Sequence, residues 1–296
     1  MTYEHPLAYL LAMEGLALLR AFTGEHADGE GRRFTEERLA EIRRLLDDER
    51  LAGPGVEVER VDPGTGYRIW SAGYDGPNAA FAADTPAVAA ILDKIPPGDA
   101  LDAACGTGRV AAALAGRGHR VIGVDGSPDM LALARDRVPG VEFRLGDLTA
   151  LPLPDGSVDL VTCSLALTHL PALGPPLAEF ARVLRPGGHV VISDMHPESL
   201  ARGFVPTIRD AVGRPGRIAS HRHPLGDYLR AALAAGLQLR ACEEPRVAKE
   251  GPPLTVAEVL EKWEVWPWAL AALVPEATRV ADANVPSIVV WHFQAP

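Results

Sequence analysis

The stretch Asp99-Ala100-Leu101-Asp102-Ala103-Ala104-Cys105-Gly106-Thr107-Gly108-Arg109-Val110, followed one helix later by Val121-Ile122-Gly123-Val124-Asp125, decides the fold. A short apolar run ends at a Gly-x-Gly turn. An Ala/Leu-rich helical run follows, and a second apolar run ends on a carboxylate. This is the opening of a nucleotide-binding β-α-β unit. The glycines let the backbone turn sharply and leave room where a Cβ would collide with a ligand. Asp125, at the tip of the second strand, can accept hydrogen bonds from a ribose diol. The turn does not name the ligand, because Gly106-x-Gly108-x-x-Ala111 also satisfies the dinucleotide fingerprint.

Working outward, strand and helix patterns alternate. The spacing predicts strands near 100–104 and 119–124, over 141–145 and 158–164, and at 189–193. Helices are predicted near 110–117, after Ser127-Pro128, where Ser caps and Pro takes the first helical position, and over 177–184. Such alternation implies a parallel sheet with helices on both faces. Upstream, helices are expected over 5–22 and from a cap at Thr35 to about 51, on either side of a polar break at 24–31. A β-hairpin is expected from 56–61, the turn Asp62-Pro63-Gly64-Thr65-Gly66 and a returning strand at 67–70. A helix is expected over 86–94. Downstream come a helix over 224–235, a strand over 237–242, a Trp-rich insertion at about 247–285 and a final apolar strand at 287–293.

The bulk numbers set limits. With 296 residues, 47% hydrophobic and 23% charged, the chain has an ordinary globular balance. The net charge is -10 without a Lys/Arg-rich block, which argues against a nucleic-acid partner. Cys105, Cys163 and Cys242 show neither a disulfide framework nor zinc spacing, so a reducing cytoplasm is the expected setting and no metal is expected. No apolar run is long enough for a bilayer, so no membrane role is expected.

Four further features narrow the ligand. Asp102 lies four residues before Gly106, where an acid can meet a cationic amino group. The third strand ends in Gly146-Asp147-Leu148, a carboxylate and an amide able to read an adenine edge. Asp155-Gly156-Ser157-Val158-Asp159 leads into the fourth strand. Arg182-Val183-Leu184-Arg185-Pro186-Gly187-Gly188 makes a helix exit and a tight turn. Together with the opening stretch, these resemble the class I S-adenosylmethionine-dependent methyltransferases of the small-molecule type, closely over 74–194. The resemblance implies an α/β fold, doubly wound, with a mostly parallel seven-stranded sheet, helices on both faces and an antiparallel final strand. Residues 1–72 would be a helical and hairpin appendage, a lid or the contact of a homodimer. Residues 73–296 would be the cofactor domain, with insertions at about 196–223 and 247–285 covering the acceptor site.

The resemblance also implies the site. Asp102, Gly106 and Gly108, with Ala103 and Cys105 in the same turn, would line the methionine end of S-adenosylmethionine, Asp102 near its amino group. As a thiol, Cys105 reads as a packing residue, since no base is marked beside it. Asp125 would hold the ribose hydroxyls. Gly126 and Met130 would lie against the adenine, Asp147 would take its amino group, and the Leu148 amide would meet a ring nitrogen. Ser164 would sit beside the sulfonium, and Tyr74 would close over the cofactor. The product would be S-adenosylhomocysteine.

On the acceptor side, Ser164-Leu165-Ala166-Leu167 stands where relatives that methylate DNA bases or protein amides carry an Asn/Asp-Pro-Pro-aromatic tetrad, which points to a small-molecule acceptor. His169 sits where many small-molecule methyltransferases keep a His near cofactor and acceptor, and its imidazole is a base candidate beside a packing reading. His196 and His223 are further catalytic candidates. Trp263, Trp266 and Trp268 read either as an aromatic lid or as residues packing the insertion's own helix against the domain. Two rivals stay open. An NAD(P)-dependent oxidoreductase accounts for the glycines and Asp125 but leaves Asp102 and Gly146-Asp147-Leu148 unexplained. A protein of the same fold that binds the cofactor and catalyses a cyclisation is the other.

Overall fold

The computed structural model describes residues 1–24, 31–76, 78–246 and 254–296. Its strands, in chain order, are β1 (Thr2–Glu4), β2 (Val56–Val61), β3 (Asp99–Ala103), β4 (Arg120–Asp125), β5 (Glu142–Leu145), β6 (Val158–Ser164), β7 (Leu184–Met195), β8 (Thr207–Arg209), β9 (Pro215–Ile218), β10 (Gln238–Glu243) and β11 (Ile288–Gln294). The chain divides into a larger unit, 62–201 with 218–248 and 286–296, and a smaller one, 1–61 with 202–217 and 249–285.

The larger unit holds the seven-stranded sheet, ordered β10-β11-β7-β6-β3-β4-β5. β5, β4, β3, β6 and β7 run parallel. β11 enters antiparallel to both β7 and β10, as expected. The period of two along each strand sends Leu101, Val161 and Cys163 to one core, and Ala100 and Leu160 to the other. Both faces are therefore covered, which a parallel sheet requires. Helices start where local chemistry satisfies their free amides: Ser127 caps Pro128–Arg137 by accepting from Met130 N, and Asn78 caps Ala79–Leu92 by accepting from Ala80 N. No described helix is long and apolar enough to cross a membrane.

The expected hairpin does not form. Residues Pro63–Trp70 are a helix, capped by the Asp62 carboxylate, which accepts from Thr65 N at 2.9 Å. Asp-Pro is a helix start as well as a turn signal, and here Pro63 occupies the first turn, where its missing N–H costs nothing. β2 pairs instead with β1, Thr2 opposite Val58. The larger unit thus begins at Asp62 rather than near 73. Two helices also start earlier than expected. Gly31–Leu46 places Thr35 inside the helix, and Ala79–Leu92 carries Pro86 in its interior. Most of the polar break at 24–31, and residues 247–253 of the insertion, lie outside the described residues.

The smaller unit has its own sheet, β1-β2-β9-β8, and its own core. Leu10, Met13 and Ala17 from the helix Pro6–Phe22 pack with Trp263 and Trp266. Leu19, on the same helix, is 59% exposed. Trp263 and Trp266 are 2% and 3% exposed, and their indoles donate to Glu4 Oε2 and the Val259 carbonyl. They form that unit's core, as the packing alternative expected; Trp268 is exposed.

Asp194, at the end of β7, is fully buried and accepts from Tyr228 Oη at 2.6 Å and from Met195 N at 2.8 Å. Burial pushes its carboxyl up to about 7, above the ordinary 3.8. An acid with a raised folded-state value favours the fold fully below its unfolded value and loses that contribution as pH rises through the folded one. Asp194→Asn mimics the neutral acid. Its urea midpoint relative to wild type should therefore climb between about pH 4 and pH 8; a flat difference would contradict this. Asp62→Ala should cost about 1 kcal/mol in urea unfolding, the scale of a lost N-cap, with faster amide exchange in Pro63–Trp70.

Candidate active site

Strand order reverses between β3 and β6: the chain runs outward through β3, β4 and β5, then returns to place β6 on the other side of β3. At such a switch point the following loops diverge and leave a crevice beyond the strand ends. Both strands here end on a non-glycine residue in the left-handed region, Ala104 at φ 57° and Leu165 at φ 56°. Each such residue costs about 1–2 kcal/mol, and strain of this kind gathers where a site has to be shaped. The cavity at this point is lined by Asp102, Ala104, Gly106, Arg109, Ser164 and Tyr74, among others.

Asp102 is 1% exposed. Its Oδ1 accepts from Thr162 Oγ1 at 3.0 Å, while Oδ2 is buried without a hydrogen-bond partner. Desolvation raises its carboxyl to about 7, opposed by Thr162 and the Arg109 charge. Ser164 Oγ is likewise buried without a partner. Two orphaned polar atoms in one cavity are costly unless something completes them. Gly106 takes φ 52° and Gly108 φ 80°, where the first turn of Arg109–Ala115 begins. A Cβ on Gly108 would meet Ala134 at 3.3 Å.

Asp125 ties the turn to β4. Its Oδ2 accepts from Gly106 N and its Oδ1 from Ser127 N, each at 2.8 Å. Burial raises its pKa against these donors. Each oxygen keeps a second lone pair, so the carboxylate is aimed and still able to accept. Gly126 is exposed beside it, and Met130 is 2% exposed in the helix beyond. Asp147 is exposed, with Oδ1 accepting from Thr149 N and Thr149 Oγ1, and Leu148 is half-buried at the same turn. Ala103 is fully buried. Cys105 is 7% exposed, and burial pushes its thiol up, so it packs as a neutral group.

Tyr74 covers the turn, its ring 3.9 Å from where a Gly106 Cβ would stand. A latch holds it there. Asp75 accepts from Thr107 Oγ1 at 2.8 Å and pairs with Arg137 at 2.5 Å, and Arg137 also donates to Thr107. A second tie runs through buried Asp84, which accepts from Arg109 and Ser193. Neither tie was read from the sequence, because their members come from separate elements. The Tyr-Asp pair at 74–75 was the one local signal.

The three histidines do not converge. His196 Nδ1 accepts from Glu198 N, which leaves its Nε2–H to donate to Glu244 at 2.9 Å; both nitrogens are used at a helix start. His223 Nε2 donates to the Leu170 carbonyl at 2.9 Å, and its ring meets Tyr228 edge-on. His169 Nδ1 lies 2.8 Å from the Ala219 carbonyl and Nε2 lies 2.6 Å from Tyr67 Oη. Desolvation lowers its pKa, so it is neutral near pH 7. Tyr67 was missed because 67–70 was read as a strand, which hid its place on a helix.

Residues 101–192 match the family described as "Methyltransferase domain". An uncharacterized 37.1 kDa protein in a transposon of Streptomyces fradiae is 38% identical over 160 residues, 49% of this chain and 45% of that protein. A malonyl-[acyl-carrier protein] O-methyltransferase of Serratia marcescens is 40% identical over 111 residues, 38% of this chain and 42% of that protein. The chain thus spans less than half the length of these curated relatives. The crystal structure of an S-adenosylmethionine-dependent methyltransferase from Mesorhizobium loti superposes with TM-score 0.51 at 26% identity, covering 75% of this chain and all of that one. Residues 101–192 thus match a methyltransferase domain, and in its strand order, its Gly106-x-Gly108 turn and its strand-end acids the chain is similar to the class I S-adenosylmethionine-dependent methyltransferases.

Proposed function

We propose that the protein transfers the methyl group of S-adenosylmethionine to a small-molecule acceptor in specialised metabolism, by in-line displacement. The observation that carries this is Asp102 Oδ2, a buried carboxylate oxygen without a partner in a cavity at the switch point. An ammonium group completes it; a nicotinamide nucleotide offers none. The orphaned Ser164 Oγ and the amide-aimed Asp125 fit the same ligand, beside a sulfonium and a ribose diol respectively. Gly126, Met130, Asp147 and Leu148 would take the adenine. When bound, S-adenosylmethionine supplies a methyl carbon already activated by its positive sulfur.

The protein then has little covalent work to do. The glycine turn and Asp102 hold the methionine end of the donor, Asp125 its ribose, and Tyr74 keeps water out from above. Alignment of acceptor and methyl carbon can contribute on the order of 7–11 kcal/mol. A relative named as an O-methyltransferase supports oxygen as the receiving atom.

Calorimetry tests the reading. S-adenosylhomocysteine should bind and NAD should not. Asp102→Asn should weaken binding by roughly 10- to 100-fold, the worth of one charged hydrogen bond. Asp102 is drawn to its ionised form by an ammonium partner, so binding near pH 6 should release a proton. That release should show as heats that differ between buffers, fade by about pH 8.5 and vanish in Asp102→Asn. Tight NAD binding with no S-adenosylhomocysteine uptake would overturn the assignment. Product without transfer of a labelled methyl group would redirect it to cyclisation.

A further inference from the structure

The hydrogen bonds around His169 run in one direction only. The Ala219 carbonyl can only accept, so His169 Nδ1 carries the hydrogen in their 2.8 Å contact. In a neutral imidazole the other nitrogen is then bare. Tyr67 Oη, 2.6 Å from Nε2, must donate to it. The Tyr67 proton is therefore turned toward His169, and the lone pairs of its oxygen are left to accept from elsewhere. Position is over-determined at both ends. Thr168, the neighbour of His169, exchanges two hydrogen bonds with His221, and Tyr67 stacks on Trp70 at 5.9 Å. Tyr67 also meets Tyr74 edge-on at 5.9 Å, and Tyr74 lines the cavity that holds Asp102 and Ser164.

We propose that Tyr67 presents the oxygen that takes the proton of a hydroxyl-bearing acceptor, and that His169 acts through it as the positioning residue and final proton holder. This rests on the methyltransferase reading above. The step balances. The acceptor O–H bond breaks as its proton bonds to Tyr67 Oη, and the Tyr67 proton bonds to His169 Nε2. The acceptor oxygen takes the methyl carbon, and the electron pair of the broken C–S bond stays on sulfur. The positive charge lost at sulfur reappears on the imidazole, so the net charge of the enclosed site does not change. Tyr74, Asp194 and Asp125 face Tyr67, and His221 faces His169. Burial first, and the two carboxyl groups after it, disfavour a lasting phenolate, so the proton passes through Tyr67 rather than leaving it bare.

A sulfonyl fluoride, 4-(2-aminoethyl)benzenesulfonyl fluoride, reads this pair without a known acceptor. It forms an O–S bond at an activated tyrosine as fluoride leaves and the proton moves to the neighbouring base. Peptide mapping should find Tyr67 labelled in wild type, at a rate that falls as pH drops below the ordinary histidine value of about 6.5. His169→Asn keeps a donor toward Ala219 but has no acceptor facing Tyr67, and should slow labelling roughly tenfold or more. Both this variant and Tyr67→Phe should bind S-adenosylhomocysteine as wild type does. Nitrogen NMR of the wild-type imidazole should show Nδ1 protonated and Nε2 bare. The opposite tautomer, no label on Tyr67, label on Tyr74 instead, or an unchanged rate in His169→Asn each overturns the proposal. Failure of wild type to bind S-adenosylhomocysteine would instead remove the methyltransferase reading.

Discussion

The larger unit depends on the reversal of strand order between β3 and β6. Parallel strands need crossovers, and two neighbours whose crossovers leave in opposite directions cannot close the space beyond their ends. Asp102 is placed next to that gap and buried, with one oxygen satisfied by Thr162 and the other by nothing. The backbone is left-handed at Ala104 and Leu165, just past the two strand ends. An unsatisfied buried carboxyl oxygen lowers stability, and the proposed cationic donor would complete it.

Around that gap the chain layers its control. The glycine turn and Asp125 are bonded to each other through the Gly106 amide, so the ribose end of the proposed donor site is rigid before any ligand arrives. Tyr74 is held by the Asp75–Arg137 pair, partly exposed and therefore weak in water, and by buried Thr107. The rigid part and the latched part thus differ in the strength of what holds them. Binding through a latched aromatic cover needs this difference.

The histidines show how position alone misleads. His169, His196 and His223 all fall after sheet strands or beside the same edge in sequence. In the fold each nitrogen with a known partner is engaged with a carbonyl, an amide, a carboxylate or a phenol. The hydrogen-bond direction at His169 moves the chemically open oxygen to Tyr67, on a helix that the turn-like Asp62-Pro63-Gly64 concealed. The tryptophans repeat the lesson. Trp263 and Trp266 carried both a lid and a packing reading, and they are buried with Leu10, Met13 and Val259 in one core.

While the antiparallel last strand was implied by resemblance alone, the sequence by itself determined the layered α/β sheet and the places of the glycine turn and strand-end acids. These depend on short-range periodicity and on φ preferences that a few adjacent residues set. Tertiary structure alone decided which of two local meanings Asp62-Pro63 takes, which oxygen of Asp102 stays unpaired, and which way the proton points between Tyr67 and His169. The last two outcomes depend on distant partners, such as Ala219, 50 residues from His169, and His169, 102 residues from Tyr67, and no local pattern encodes which distant group arrives.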